Sequence, residues 1–148
     1  MLQEADAANF LMGAGTLGDG DDTASNACGI ARSHAYSVIT AFTMTDAQGT
    51  GHDMLMFRNP WGVTYYTGTW NKDDPNWTDD LVAQIPFGLD PRTEGDADGI
   101  FVMPKENIVW DGDCIYDIGI AHYRDGEGYS DDWFDAIDMD EEGHLYKF

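Results

Sequence analysis

Three side chains in the first half of this chain have the types and spacing for acid–base chemistry. His34 heads the apolar run His34-Ala-Tyr-Ser-Val-Ile-Thr-Ala-Phe-Thr-Met44. Asn59 closes the run Asp53-Met-Leu-Met-Phe-Arg58, and Trp61 follows it by two residues. An imidazole takes and returns protons near neutral pH. A neighbouring amide can fix which ring nitrogen carries hydrogen, and an indole can keep water from the pair. Together they suit general-base activation of a thiol or hydroxyl nucleophile. No obvious nucleophile stands with them in the sequence.

That chemistry requires the two runs to lie side by side. The first is rich in β-branched and aromatic residues at strand length, which predicts a strand over 34–44, and the apolar run 53–58 gives a second. A hairpin about the Gly-rich turn 46–53 would bring His34 and Asn59 to the same end. Two-residue alternation puts Tyr36 and Val38 on the face of His34. Pro60 restricts Asn59 to an extended backbone and so aims its side chain.

Around this hairpin, residues 2–11 are Ala-rich and predict a helix that Gly13 could stop. Residues 13–18, Gly-Ala-Gly-Thr-Leu-Gly, formally match the dinucleotide fingerprint. No strand precedes them, no helix follows, and Asp19-Gly-Asp-Asp would repel a pyrophosphate, so the stretch reads as a turn and a mobile polar loop through Asn26. Short strands are predicted over 63–67, 99–103 and 114–123, a turn-rich stretch over 68–80, and a short helix or turn at 105–108. Residues 123–148 read as an acidic linker, over 124–142, and the opening of a further strand. The fold class expected is α+β: an antiparallel, β-dominated sheet with few short helices.

Charge is the abnormal feature of the 148 residues: 28 Asp plus Glu against 7 Lys plus Arg, a formal net charge of −21. Such a surface repels phosphate, so nucleic acid and anionic membrane surfaces are excluded as partners. Most of these carboxylates are read as solvating. No apolar run approaches the ~20 residues of a membrane-spanning helix, and the start lacks a signal-peptide pattern, so an intracellular, cytoplasmic protein is expected. The two cysteines, Cys28 and Cys114, make no disulfide framework and no zinc spacing. Neither is expected near the proton-accepting nitrogen of His34: Cys28 sits on the loop leading into the strand, and Cys114 belongs to a distant strand.

Taken in order, several motifs resemble the calpain family of papain-like cysteine proteases. Ser33-His34-Ala-Tyr-Ser-Val38 is similar to the family's Gly-His-Ala-Tyr-Ser-Val segment. Arg58-Asn59-Pro60-Trp61-Gly62 is identical to its Asn-Pro-Trp motif. Thr67-Gly68-Thr69-Trp70, with Trp77 beyond it, and Asp98-Gly99 continue the likeness. A lone histidine beside a strand is ordinarily a satisfied core residue, and His52, His122 and His144 are read that way. For His34 the ordered set of motifs decides otherwise. The resemblance covers roughly residues 2–122 and implies the second catalytic subdomain, with His34 as general base, Asn59 as its orienting group, and Trp61 and Pro60 in support. Residues 1–122 would be that subdomain.

The resemblance also implies what is missing. The family's nucleophile lies in an N-terminal half, in a Gly-Asp-Cys-Trp context with an upstream Gln, and neither occurs here. Ser33 replaces a Gly. Tyr65, Lys72 and Ile100 stand at positions where animal calpains place acidic calcium ligands, and only Asp98 plainly remains. Glu94-Gly-Asp96-Ala-Asp98-Gly99 imitates the start of an EF-hand loop. The twelfth position from Glu94 is Lys105, where a bidentate Glu is needed. No cofactor is required for the base chemistry, and calcium would find at best a weak site near Asp96 and Asp98. The implied activity is peptide-bond hydrolysis of protein substrates once a cysteine-bearing half is supplied, in the same gene product or by a partner chain. A non-catalytic interaction or structural module of calpain descent, and an acidic calcium-binding module, remain the alternatives.

Overall fold

The computed structural model describes residues 2–19, 21–93, 98–108 and 114–121, and the backbone of 135–139 and 145–147. Its strands are β1 (Leu11–Gly15), β2 (Ala35–Thr45), β3 (Gly51–Arg58), β4 (Ile100–Pro104), β5 (Asp117–Ala121), β6 (Asp135–Met139) and β7 (Leu145–Lys147). They form one sheet in the order β4-β3-β2-β1-β5-β6-β7, with every described pairing antiparallel. The described residues also hold short helices α1 (Leu2–Ala7) and α2 (Asp79–Val82) and two single 3-10 turns. This is the β-dominated α+β class read from the sequence.

The predicted hairpin forms as β2 and β3. Along β2 burial alternates, so Tyr36, Val38 and Thr40 point inward, as the period-two pattern requires. β3 is buried continuously from Met54 to Phe57 because both of its faces are covered. Leu55 and Phe57 join one apolar cluster with Tyr36, Phe101 and Met103. Met54 and Met56 join another, with Val102 and the indoles of Trp70 and Trp77. The turn is closed by Asp46, whose Oδ1 accepts from the Gln48 and Thr50 N–H groups at 2.9 and 2.8 Å. The Thr50 bond is the largest influence holding the Asp46 carboxyl below the usual carboxylate range, and His52 at 3.2 Å adds to it. Where β2 bulges between Val38 and Thr40, Asp6 of α1 accepts from Thr40 Oγ1 at 2.5 Å and from Ala41 N–H at 3.2 Å, docking the helix on the bulge.

Four expectations are corrected. The predicted helix over 2–11 ends at Ala7, and the stretch expected to begin a turn at Gly13 is instead strand β1. Glycine is a poor strand former, but Gly13 pairs on both sides, with Ser37 and Gly119, while Met12 and Ala14 are buried. Pairing and burial supplied by distant strands outweigh local propensity. Residues 63–67 are not a sheet strand; this segment is tied down by Thr67 N–H donating to the Cys28 carbonyl at 2.8 Å. Asp135–Met139 forms β6, within the stretch read as a linker. Cys28 and Cys114, read as making no disulfide framework, are disulfide-bonded within the core, their Cα atoms 5.3 Å apart and 86 residues apart in sequence. Asn26 reinforces the junction by donating Nδ2–H to the Cys114 carbonyl at 2.9 Å.

A cross-link over so long a loop removes considerable entropy from the unfolded chain. Reduction, or the double substitution of Cys28 and Cys114 by Ala, is expected to lower the unfolding free energy by about 4 kcal/mol. Urea unfolding with and without reductant measures it; an unchanged midpoint would mean that the bond contributes no stability.

Candidate active site

The end of β1, the start of β2 and the end of β3 meet where His34 and Asn59 stand. His34 precedes β2 by one residue, and its backbone is held from both sides by Thr16. The Thr16 N–H donates to the His34 carbonyl at 3.1 Å, and Thr16 Oγ1 accepts the His34 N–H at 3.1 Å. Ser33 just before it takes the left-handed region, φ 47°, which favours glycine. Its hydroxyl donates to the Gly18 carbonyl at 2.7 Å, holding the residue there. The Gly-to-Ser departure therefore falls at a position where the backbone itself asks for glycine.

Asn59 follows β3 directly and is 4% exposed. Its N–H donates to the Gly99 carbonyl at 2.8 Å and its own carbonyl accepts from Gly62 N–H at 3.0 Å. The side-chain oxygen Oδ1 lies 2.9 Å from His34 Nε2 and also accepts the Trp61 backbone N–H at 3.0 Å. The second bond settles the roles in the first. Because Trp61 N–H can only donate, the atom it meets is the amide oxygen, and Nε2 must carry the hydrogen that reaches it. The other nitrogen, Nδ1, is left to take up a proton.

The imidazole is packed on two sides. The Trp61 ring lies over it with centroids 4.3 Å apart and is itself 49% exposed, a cover between the ring and solvent. Tyr36 meets it from the core side in a T-shaped arrangement, centroids 4.9 Å apart. Its hydroxyl accepts the Ala31 N–H at 2.9 Å, and burial pushes the phenol up to about 12, so it stays neutral. Nδ1 faces Asp22, whose Oδ2 lies 3.4 Å away.

The structure thus brings together His34, Asn59 and Trp61, with Pro60 exposed in the connecting turn. Asp98 is exposed in the step before β4; Asp96, Glu94, His122 and His144 lie outside the described residues. His52 is half-buried, engaged with Asp46, with its ring 5.2 Å from that of Trp70. Among the described residues no group of three or more His, Cys, Asp or Glu could hold a metal ion. Both cysteines of the chain are consumed by the disulfide. Two neighbours escaped the sequence reading. Asp22 looked like one more solvating acid, and nothing in its local sequence distinguishes it. Gly99 carried a signal, the Asp-Gly step, without a stated reason: its φ is +72°, and a Cβ there would lie 2.7 Å from the Asn59 carbonyl oxygen.

The family model for calpain family cysteine proteases matches residues 1–111. The chain belongs to the calpain family. Among its relatives, calpain-8 of Homo sapiens is 34% identical over 80 residues, 54% of this chain and 11% of that protein. The calpain-2 catalytic subunit of Gallus gallus is 34% identical over 79 residues, 50% of this chain and 10% of that protein. The Bos taurus calpain-2 catalytic subunit reaches 40% over 48 residues, 32% of this chain and 7% of that protein. This calpain-family chain therefore matches only about a tenth of the length of these curated relatives.

Gly99 gives the site a test of construction. Gly62 also has positive φ, +75°, but a Cβ there would meet nothing within 4 Å. Gly62→Ala is expected to cost only the left-handed strain, about 1 kcal/mol. Gly99→Ala adds a clash with the Asn59 backbone and should cost about 2–3 kcal/mol. Urea unfolding of the two variants compares them; equal losses would show that the close approach at Gly99 is relieved at no cost.

Proposed function

We propose that this chain is the base-bearing half of a calpain-type cysteine endopeptidase core, acting on protein substrates with a cysteine-bearing half supplied from elsewhere in the same gene product or by a partner chain. The observation that carries this reading is the amide oxygen of Asn59, placed to take the Nε2 hydrogen of His34 while Trp61 shields the ring. In this reading Nδ1 takes the proton of the incoming thiol, leaving a thiolate to attack the peptide carbonyl and form an acyl-enzyme. The imidazolium then returns its proton to the leaving amine, and water attacks the acyl group with the same ring as base. A neutral amide suffices as the orienting group because the thiolate balances the charge of the imidazolium.

Neither cysteine of this chain serves as nucleophile, since both are buried and bonded to each other. The isolated chain is expected to leave peptides uncleaved. Mixed with a chain carrying the family's Gly-Asp-Cys-Trp segment, it should restore thiol-protease activity, and His34→Ala should lower that activity by roughly 10²–10⁴. Cleavage by the isolated chain, or reconstituted activity indifferent to His34→Ala, sinks the assignment. The competing reading, a non-catalytic module of calpain descent, draws on the absence of any free thiol in the oxidised chain. Mixing that never yields activity would favour it.

We infer further that calcium is not held tightly. Tyr65, Lys72 and Ile100, at the positions the family resemblance gives to ligands, line one cleft of about 670 Å³. A phenol, an ammonium group and an alkyl side chain at these three positions are no carboxylate ligands, and the one carboxylate that lines the cleft, Asp73, is too few for a cation that takes about six to eight oxygens. Titration calorimetry in about 0.15 M salt, which screens diffuse attraction to the acidic surface, should show no site of micromolar affinity. A stoichiometric micromolar site would reverse this.

A further inference from the structure

We propose that Asp22 is a built-in occupant of the His34 nitrogen that the thiol must reach, an autoinhibitory contact carried by the loop between β1 and β2. The argument starts from hydrogen-bonding capacity. Asn59 Oδ1 takes the hydrogen of Nε2, so any further exchange of protons by the ring passes through Nδ1. That nitrogen is not open: Asp22 Oδ2 stands 3.4 Å from it. When the ring is protonated the contact is an ion pair. When it is not, two acceptors face each other, and the carboxylate is free to turn away. In the protonated state the place of an attacking group is therefore filled, and the pair favours that state.

The surroundings show why this contact can both persist and be broken. The His34 side chain is 8% exposed, closed in by Trp61 and Tyr36, and among the described residues the charged group observed against the ring is Asp22. Asp22 itself is 42% exposed. The flanking backbone is held independently. Thr23 donates both its N–H and its hydroxyl to Asp21, and Arg32 N–H donates to the Ala24 carbonyl at 2.9 Å. Turning the Asp22 side chain into solvent therefore opens Nδ1 without unmaking those bonds. This inference rests on the reading of His34 as the base, and it adds that a cysteine-bearing half must displace Asp22 as it docks.

The test uses two arms. In the first, the chain alone is treated with diethyl pyrocarbonate and the modification rates of His34 and His52 are read by peptide mass spectrometry. His52, paired with Asp46 in the β2–β3 turn, serves as internal reference. Asp22→Ala should speed modification of His34 about fivefold relative to His52, the size expected for releasing a half-exposed pair. Asp22→Asn, which removes the charge and keeps the bulk, should fall between. Equal His34 rates in wild type and Asp22→Ala would overturn the proposal. In the second arm, the halves are mixed, and Asp22→Ala should raise kcat/KM about fivefold over wild type; an unchanged or lowered value overturns the inhibitory role. A mixture that never cleaves removes the catalytic reading instead, and the modification rates still decide whether Asp22 shuts the nitrogen.

Discussion

The amide oxygen of Asn59 has room for two donors, and both places are filled, by the ring hydrogen of His34 and the backbone hydrogen of Trp61. Each bond constrains the other. The Trp61 bond turns the amide so that oxygen faces the imidazole, and the imidazole bond fixes the ring's tautomer and plane. The indole of Trp61, brought over the ring by the same short turn, limits the access of water that would compete for these bonds. A small set of contacts thus couples orientation, tautomer and shielding.

That set holds only because three strands deliver their ends to one place. Ser37 pairs with Arg58, so the residues just beyond this pair, His34 on one side and Asn59 on the other, emerge together. Arg58 in turn pairs with Ile100, which brings Gly99 against Asn59 and lets its carbonyl accept the Asn59 N–H. Behind the site, aromatic rings carry the load of packing. Phe101 stacks on Phe57 and Tyr66 at 5.3 Å each and meets Tyr36 edge-on, so the residue supporting His34 from below is held by the core itself. The disulfide closes the far side, joining the loop that carries Ala31, the partner of Tyr36, to the segment entering β5.

The acidic surface and this site meet at Asp22. Most carboxylates of the chain read from the sequence as solvating, and the local sequence of Asp19-Gly-Asp21-Asp22 offers no way to choose one of them. Only the path of the loop, set by Thr16, Ser33 and the isolated bridge between Ser25 and Ala31, selects Asp22 as the acid that meets the ring.

Local pattern was enough for the hairpin. Alternating apolar residues, a polar turn of suitable length and the proline after Asn59 are encoded within some thirty consecutive residues, and they determine that His34, Asn59 and Trp61 share an end. The family motifs are legible for the same reason. What the sequence by itself could not determine depends on partners far along the chain. Gly13 is a strand residue because Ser37 and Gly119 pair with it, against its own propensity. Cys28 meets Cys114 because β1 lies between β2 and β5. Asp22 meets His34 because a loop folds back across the strand end. Periodicity reports which face of an element is buried; it carries no information about which distant element covers that face, and in this protein tertiary packing made those choices.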